Sequence, residues 1–334
     1  MKLRIEKVIF GGDGLAKDEG QVVFVPFTLE NEVVSAEITS RHKKFSRARV
    51  VEVLEPSPER RPPPCPYFGR CGGCQLQHMS YKEQLRVKET QLKELFPVVL
   101  PIVEAPKTLY YRKKISLHHQ EGLLGFRGID NHTFVAVDRC LLFSDKLLKE
   151  IPHFKDEGPF LIDNLSIEVS SKAFCQNFPE QSLNLYHYIK SLVEKENPRI
   201  ITDLYCGVGI TSLLSAPLAE KVFGIELSSE AVRLAKLNAQ KNGIKNVFFK
   251  VQKAENAAIY GDLVLINPPR TGADNAVLQN ILRSKTKTII YTSCNPSTLQ
   301  RDIKRLEGFT LDSCKPFDMF PQTSHVEVVT VLRR

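Results

Sequence analysis

The sequence has no long apolar run, and this absence excludes a membrane-spanning helix. None of its segments approaches the roughly 18 consecutive apolar residues that such a helix requires. A secretory signal is also missing, because charges interrupt the apolar residues of segment 1–7. With 42% hydrophobic and 25% charged residues, the composition excludes wholesale disorder. We expect a cytoplasmic protein with no membrane partner and, at 334 residues, two or three domains.

Cysteine is not scarce, since the chain has eight, but the missing secretory signal argues against a disulfide framework. Metal binding, nucleophilic chemistry and plain burial are the remaining roles. Cys65, Cys71 and Cys74 are too closely spaced to be chance core residues, and this spacing predicts metal ligands. An iron–sulfur cluster and a structural zinc ion are both open on spacing alone.

Short β-segments separated by turn signals are predicted in residues 1–55, with strands at 21–27, 32–39 and 47–54. Their number suits a small β-barrel of the oligonucleotide-binding type. The basic stretch 41–49 joins two of these strands and contains Phe45. On such a barrel it is a phosphate-contact surface, and otherwise it is a solvated loop. The net charge of +8 permits a nucleic-acid partner.

Five prolines in residues 55–64 then predict a stiff linker. Segment 80–95 is predicted to be an amphipathic helix, with Ser80 as N-cap and Glu83 completing a capping box. Residues 110–145 alternate β-segments and turns. Within them, segment 110–114 sets aromatic side chains beside cations, which suits either base stacking with phosphate contacts or a strand core.

From about residue 180 strands alternate with helices, which is typical of a parallel α/β sheet. Two late segments, 309–313 and 325–332, are interpreted as a hairpin at the sheet edge. The predicted parallel strands are 199–204, 221–225, 247–251, 262–266 and 287–292.

The first of these strands ends in a glycine turn, Asp203-Leu-Tyr-Cys-Gly-Val-Gly. Ser212 stands where a dinucleotide-binding motif needs its third glycine, so a pyrophosphate ligand is disfavoured. Glu226 ends the second strand, where a carboxylate accepts hydrogen bonds from ribose hydroxyls. An acidic first strand, a short glycine loop and this glutamate together resemble the fold of S-adenosylmethionine-dependent methyltransferases.

Two more loops follow the fourth and fifth strands at the same sheet edge. Asn267-Pro-Pro-Arg270 forms a rigid loop. Followed by an aromatic residue, Asn-Pro-Pro is typical of amino-directed methyltransferases, but here the fourth residue is Arg. Cys294 follows the fifth strand and precedes a helix whose amino terminus favours a thiolate. We interpret Cys294 as a nucleophile, with structural burial as the alternative.

Four motifs resemble the RNA uracil-C5 methyltransferases, in particular the members with a TRAM domain and a [4Fe-4S] cluster that act on 23S rRNA. The motifs are residues 203–209, 267–270, 293–302 and 318–327. The amino-terminal barrel resembles the TRAM module. Cys65, Cys71 and Cys74 together with the distant Cys140 match the four cluster ligands, so the resemblance covers nearly the whole chain.

This resemblance implies methyl transfer from S-adenosylmethionine to C5 of a uridine in RNA through a covalent adduct. It assigns the nucleophile to Cys294 and the general base to Glu327, and it lets Arg270 position the uracil or the catalytic loop. Gln176, in Phe174-Cys175-Gln176, contacts the cofactor or the target base. The further cofactor contacts are Tyr205, Gly207, Gly209, Glu226 and Asn267, the last standing where the family usually has Asp.

The fold class expected is therefore α/β, with a methyltransferase domain at 176–334, a central iron–sulfur β domain at 57–175 and a TRAM-like barrel at 1–56. Whether the helix at 80–95 packs on the catalytic domain is left open. We expect a monomer that binds RNA, S-adenosylmethionine and a [4Fe-4S] cluster. Two alternatives are an amino-directed RNA methyltransferase and a non-enzymatic iron–sulfur RNA-binding or folding factor.

Overall fold

The computed structural model describes residues 1–143, 159–170 and 176–334, which divide into two compact units. Unit 1 consists of residues 1–91, 107–143 and 320–325, and unit 2 of the other described residues. The three predicted domain boundaries stay a prediction. Phe174 and Cys175 of the predicted glutamine motif lie outside the described residues.

A six-stranded sheet forms the first part of unit 1. Alternate apolar residues of its strands, such as Val23, Val25 and Val34, are buried against one another. The sheet order is β1-β5-β6-β4-β3-β2, and only β4 and β6 pair in parallel. The strands are β1 (Lys2–Arg4), β2 (Lys7–Val8), β3 (Asp13–Asp18), β4 (Gln21–Pro26), β5 (Val33–Arg41) and β6 (Phe45–Glu55).

Most of one helix and a small sheet form the second part of unit 1, and the last four residues of the helix, 92–95, belong to unit 2. Helix α1 (Tyr81–Leu95) begins where the capping box predicts, and the Glu83 N–H donates to Ser80 Oγ at 3.2 Å. The buried face of α1 carries Gln84, which donates to Gln322 Oε1 at 2.9 Å. An antiparallel sheet of three strands follows: β7 (His118–Gln120), β8 (Leu123–Arg127) and β9 (Phe134–Ala136).

Unit 2 is built on a seven-stranded sheet of order β14-β13-β12-β15-β16-β18-β17, after a small hairpin of β10 (Phe160–Ile162) and β11 (Leu165–Ile167). Its first five strands are parallel, as the sequence predicts. The strands are β12 (Ile200–Leu204), β13 (Lys221–Glu226), β14 (Val247–Val251), β15 (Leu263–Ile266), β16 (Thr288–Ser293), β17 (Thr310–Phe317) and β18 (Glu327–Arg333).

Five helices of the described residues belong to unit 2: α2 (Pro179–Glu196), α3 (Ile210–Ser215), α4 (Ser229–Lys241), α5 (Asn275–Arg283) and α6 (Pro296–Arg305). The segment from 229 to 242, predicted to be helical, is α4, and Ser228 caps it by accepting the Ala231 N–H. Across the described segments, none of the helices has the length and apolar composition needed to span a bilayer.

Strand β18 lies inside the sheet, between β16 and β17, and is antiparallel to both. The predicted hairpin of the two late segments is confirmed, but only β17 is at the edge. All residues of β18 except the last are buried, because the strand has neighbours on both sides. Glu327, the first residue of β18, therefore begins an interior strand.

An ion pair fastens the proline-rich segment after β6 within unit 1. Arg60 donates to Glu32 from Nε at 2.5 Å and from Nη2 at 2.6 Å. The fully buried Glu32 carboxylate also accepts the N–H groups of Leu29 and Ser57. Burial alone raises the pKa of Glu32, but Arg60 and the two N–H groups outweigh it and hold the pKa below its usual value.

We expect Glu32→Gln to lower the free energy of unfolding of unit 1 by about 3 kcal/mol, because Arg60 loses its charge partner. The matched control is Glu37→Gln, which breaks an exposed ion pair with Arg49 and costs less than about 1 kcal/mol. Urea unfolding followed by circular dichroism measures both. The cost of Glu32→Gln starts to shrink as the pH falls below 4.5, where the unfolded chain takes up the proton, and it is lost as the pH passes the lowered pKa of the folded Glu32 carboxylate. Equal costs at pH 7 would contradict the prediction.

Candidate active site and cysteine cluster

Asp203 shapes the glycine turn that follows β12. The hydroxyl groups of Thr211 and Ser212, in the first turn of α3, both donate to Asp203 Oδ2 at 2.6 Å. Burial raises the pKa of Asp203 to about 6, and these two hydrogen bonds oppose the rise. Asp203 therefore fastens the turn to α3, a role that the motif alone did not indicate.

Gly207 and Gly209 hold the backbone of this turn in the left-handed region, with φ of 55° and 88°. A side chain at Gly209 would collide with the ring of Phe249. A Cβ atom at Gly207 would meet no atom within 4 Å. The space over Gly207 is therefore available to a ligand that approaches the backbone closely.

Glu226 stands beside the turn at the end of β13. Its Oε2 accepts the Gly207 N–H at 3.2 Å, and its Oε1 accepts the Ser228 N–H at 2.8 Å. Each carboxylate oxygen keeps a lone pair for a further donor, such as a ribose hydroxyl. Tyr205 adopts a φ of 61°, and its hydroxyl accepts the N–H of Asp274. The structure thus brings Tyr205, both glycines and Glu226 together.

Asn267 and Gln176 are the other predicted cofactor residues. Asn267 follows β15, and its N–H donates to the Leu204 carbonyl at 3.3 Å, which places it beside the end of β12. Gln176 is buried just before α2. Within the part of the chain that the structure describes, no hydrogen bond joins Gln176 to the other predicted site residues, so its role stays a prediction.

Cys294, Arg270 and Glu327 meet at the carboxyl end of β16. Cys294 directly follows β16, and the pairing of Ser293 with Val328 brings the start of β18 to the same level. The Arg270 side chain donates a hydrogen bond to the Cys294 sulfur. Glu327 is 3% exposed, and the charges of Arg270 and Glu327 act on the thiol in opposite directions.

Burial dominates the protonation of this group. It raises the pKa of Glu327 to about 8, and Arg270 opposes only part of the rise. Burial also raises the pKa of the Cys294 thiol, Glu327 adds to the rise, and Arg270 opposes it. The helix amino terminus, which favours a thiolate, therefore does not bring the pKa of Cys294 below its ordinary value. Near neutral pH the thiol and the carboxyl group both keep their protons.

The loop that carries Arg270 is fastened by the cysteine motif. The carbonyl oxygen of Arg270 accepts hydrogen bonds from Asn295 Nδ2 at 3.1 Å and from Thr298 Oγ1 at 3.3 Å. Farther along the loop, the buried carboxylate of Asp302 accepts the Tyr291 hydroxyl at 2.7 Å and the Ala273 N–H at 2.8 Å. Hydrogen bonds from the motif 293–302 thus hold the backbone of the motif 267–270, which fixes Arg270 beside Cys294.

The four cysteines of the predicted cluster meet in unit 1. Burial raises the pKa of Cys74 to about 12 and also raises those of Cys71 and Cys140, and the neighbouring thiols, Cys65 included, add to these shifts. Cys71 and Cys140 also pack against a buried apolar group around Phe143. No group of three or more His, Cys, Asp or Glu side chains in the described ranges is placed to hold a metal ion.

Arg112 lies among these thiols, a position that sequence reasoning missed. Its charge opposes the raised pKa values of Cys71, Cys74 and Cys140, and its buried Nε has no hydrogen-bond partner among the described residues. The neighbouring Tyr111 is fully buried and donates its hydroxyl to the Pro321 carbonyl at 3.1 Å. RNA stacking by segment 110–114 is therefore wrong for Tyr111, and nothing in the sequence distinguished a buried arginine from an exposed one.

The basic stretch 41–49 comprises the last residue of β5, the turn 42–44 and the first five residues of β6, so most of the predicted connecting loop is strand. Arg47 bonds to Asp13 at 3.1 Å, and Arg49 bonds to Glu37, so both have acidic partners. Lys43 and Lys44 are exposed and form no ion pair with a described residue. The phosphate-contact interpretation therefore depends on these two lysines.

Comparison with protein families gives three matches along the chain. The TRAM domain model matches residues 1–51. The methyltransferase small domain matches residues 171–289, and the tRNA (Uracil-5-)-methyltransferase model matches residues 248–334. The predicted TRAM-like module and methyltransferase fold are thereby confirmed.

Full-length relatives give the same result. An uncharacterized RNA methyltransferase of Protochlamydia amoebophila is 32% identical, covering 99% of this chain and 96% of the relative. One of Bdellovibrio bacteriovorus is 33% identical, covering 100% and 95%. The solved tRNA (uracil-54, C5)-methyltransferase of Pyrococcus abyssi, in complex with S-adenosyl-L-homocysteine, covers 99% of both chains with a TM-score of 0.80 at 24% identity, which shows the shared fold. The chain therefore belongs to the RNA methyltransferases that join a TRAM domain to an S-adenosylmethionine-dependent methyltransferase fold, in the uracil-5 family.

Proposed function

We propose that this enzyme methylates C5 of a uridine in RNA through a covalent bond between Cys294 and C6 of the base. The observation that carries the proposal is the meeting of Cys294, Glu327 and Arg270 at one strand end. Methylation of an amino group, the alternative suggested by Asn267-Pro-Pro, requires neither a nucleophilic cysteine nor a buried base beside it. The uracil chemistry gives all three residues a role.

A covalent step is needed because C5 of uracil is a weak nucleophile. The Cys294 thiolate adds to C6, and the electrons of the C5–C6 double bond move to give an enolate whose C5 is nucleophilic. S-Adenosylmethionine, when bound, supplies an electrophilic methyl group to C5. Glu327 then takes the C5 proton, the double bond forms again, and the bond to the Cys294 sulfur breaks with release of the thiolate.

Arg270 stabilises the charged forms that this sequence of steps requires. Its hydrogen bond and charge favour the Cys294 thiolate, and its charge favours the Glu327 carboxylate. Burial has the opposite effect, and it makes the carboxylate a stronger base than an exposed glutamate. The base therefore receives the C5 proton readily once it is ionised.

The turn after β12 fits the nucleoside part of S-adenosylmethionine. A ligand can reach the backbone over Gly207, Glu226 has acceptor capacity left, and Tyr205 precedes Gly207 by two residues in the same turn. We propose these residues, with Gly209, Asn267 and Gln176, as the cofactor contacts. The complex of the Pyrococcus abyssi enzyme with S-adenosyl-L-homocysteine supports S-adenosylmethionine as the cofactor.

We also propose that Cys65, Cys71, Cys74 and Cys140 hold a [4Fe-4S] cluster with a structural role. The donor set consists of thiols alone, which suits iron–sulfur ligation. The unpartnered Nε of Arg112 offers a hydrogen bond and a positive charge to an anionic group. A zinc ion, with Zn–S near 2.3 Å, needs its sulfur ligands within about 3.8 Å of one another. A cluster of four irons spans more space, and the metal content of the purified chain distinguishes the two.

The RNA that we propose as substrate is 23S rRNA, because the family members that combine a TRAM module with the cysteine motif act on it. A target uridine inside folded RNA must leave its stack to reach Cys294. Lys43 and Lys44 of the TRAM module are placed to contact phosphates, which contributes affinity without entering the chemistry.

The covalent step predicts different results for the two catalytic residues. Cys294→Ala forms no bond with C6, so both the adduct and the product are lost. In Glu327→Gln, Cys294 still adds to C6 of the base, and C5 of the base still accepts the methyl group. The variant then stalls with the RNA attached, because the C5 proton is not removed. A denaturing gel measures the adduct as a protein–RNA band in the presence of S-adenosylmethionine.

RNA with 5-fluorouridine at the target position is the trapping control, since fluorine cannot leave as a cation. Wild type and Cys314→Ala, which removes a buried thiol of β17, both form the adduct with this RNA. Digestion of the normal product identifies 5-methyluridine or an N-methylated base. A stable adduct from Cys294→Ala, or none from wild type, would overturn the mechanism.

The raised pKa values predict that adduct formation becomes faster between pH 7 and pH 9. The reactive thiolate is depleted below the apparent pKa of the Cys294–Glu327 pair, and Glu327 titrates near 8. Arg270→Ala removes the charge that lowers both values and shifts the rising limb upward by about one pH unit. Single-turnover rates of adduct formation on fluorinated RNA, measured as a function of pH, give the position of this rise. Arg283→Ala, an exposed arginine of α5, is the control, and an equal shift in both variants would sink the assignment.

The cluster predicts a brown protein after anaerobic purification, with a broad absorbance near about 400 nm and about four irons and four sulfides per chain. Cys74→Ser loses most of this iron, whereas Cys314→Ala retains it. Elemental analysis and absorbance provide the measurement. A colourless wild-type chain with one equivalent of zinc would rule out the cluster and leave the methyl-transfer proposal untouched.

A further inference from the structure

An open face of the unit 2 sheet has no part in the chemistry described above. The connection from β14 to β15, residues 252–262, is described throughout and contains only a 3-10 turn at Ala254–Asn256 in place of a helix. Helix α4 lies on the other face, where Phe249 is buried beside Gly224. The face of β13 and β14 opposite Phe249 is therefore left partly uncovered.

Three aromatic rings form a continuous strip on this face. Phe223 and Phe248 are register partners with ring centroids 5.6 Å apart, and Tyr260 lies 5.0 Å from Phe223 on the other side. Phe248 is 48% exposed and Tyr260 is 51% exposed. Neighbouring exposed apolar rings of this kind are typical of an interaction site. We call Phe223, Phe248 and Tyr260 the aromatic strip.

The strip is held in a fixed position. The Tyr260 N–H donates to Thr202 Oγ1 at 3.0 Å, and the same hydroxyl donates to the Tyr260 carbonyl at 2.9 Å. Thr202 itself is fully buried in β12. A platform whose backbone is already fixed loses little conformational freedom when a ligand stacks on it.

Lysines flank the strip on the same face. Lys221 precedes Phe223 by two residues and Lys250 follows Phe248 by two, so each shares the orientation of its neighbouring ring. Both lysines are exposed and form no ion pair with a described residue. The adjacent Glu220 is already paired with Arg199. The surface thus combines aromatic rings with unneutralised positive charge.

We propose that the aromatic strip, with Lys221 and Lys250, binds an unpaired stretch of the RNA substrate by base stacking and phosphate contacts. Exposed aromatic rings on an open sheet are a recurring platform for single-stranded RNA, and flanking cations supply the sequence-independent attraction. The charge complementarity favours RNA as the occupant. A second copy of the chain is disfavoured, since half-exposed rings offer only about 300 Å² and a stable interface needs about 800 Å² per partner.

This site is separate from the turn after β12 and from the Cys294 group, because Phe223 and Phe248 lie within β13 and β14, away from their carboxyl ends, and Tyr260 lies in the connection before β15. It would hold RNA outside the target nucleotide. The proposal rests on the RNA substrate of the family and on neither the covalent step nor the cluster.

The test uses the full chain and a fluorescein-labelled single-stranded uridine 12-mer, with binding measured by fluorescence anisotropy. Phe248→Ser is expected to weaken binding about tenfold, and Phe248→Tyr to bind like wild type, because stacking on one ring contributes that much and tyrosine keeps the ring. Val251→Ser, which alters an equally exposed apolar residue at the end of β14, is the matched control and leaves binding unchanged.

A second variant tests the electrostatic part. Lys250→Gln lowers the dependence of log Kd on log salt by about 0.7, the value for one contact with a single-stranded phosphate. Circular dichroism of each variant checks that the fold is retained. Wild-type affinity in Phe248→Ser, equal losses in Phe248→Ser and Phe248→Tyr, or a change in sedimentation without a change in RNA binding would overturn the proposal. Failure of wild type itself to bind the 12-mer would also overturn it, whereas the methyl-transfer proposal is tested separately by adduct formation.

Discussion

The catalytic edge of this enzyme depends on the antiparallel pairing of β18 with β16. In a purely parallel sheet the chain could bring only carboxyl ends of strands to this edge. By running backwards between β16 and β17, β18 brings its amino end there instead, and that end is Glu327. The proposed nucleophile, which follows one strand, and the proposed base, which begins another, thus become neighbours, although 32 residues lie between Cys294 and Glu327.

Burial is the cost of this arrangement, and it is also useful. A carboxyl group placed between two strands loses its water, which raises the pKa of Glu327 to about 8 and makes it a better proton acceptor. Arg270 limits the cost without removing it, since a stronger ion pair would leave a weaker base. The hydrogen bonds of Asn295 and Thr298 to the Arg270 carbonyl hold the backbone from which the Arg270 side chain acts on the pKa of Glu327.

Much of the fold could be predicted from the sequence, because its elements are locally consistent. The capping box marks the start of α1, and the alternation of strands and helices gives the five parallel strands almost to the residue. Long-range pairing is where the sequence is silent. Nothing in the segment around Glu327 predicts whether its strand lies inside the sheet or at its edge, because an apolar strand can occupy either position. The pKa of Cys294 likewise depends on burial and on Glu327 more than on the helix that follows it.

The position of Arg112 illustrates the same limit for the second site. The cysteine spacing predicts ligands because thiols close together in the chain are close in space. An arginine reaches those thiols only through the parallel bridge between Arg112 and Phe143, which no local pattern encodes. The four motif cysteines, the proposed catalytic pair and Arg270 could therefore be named from the sequence, whereas the position of Arg112 and the effect of both arginines on the neighbouring pKa values required the structure.

The length of the motif 318–327 has a structural explanation. Its first two and last two residues belong to unit 2, but its middle, 320–325, belongs to unit 1. There Gln322 is bonded on every side: its carbonyl accepts the N–H groups of Gln75 and Leu76, and its side chain and N–H pair with Gln84. Glu327 is thus only two residues from a segment that unit 1 holds firmly. The proposed base needs only one carboxylate, whereas the length of the motif reflects a chain that must satisfy two different sets of neighbours within ten residues.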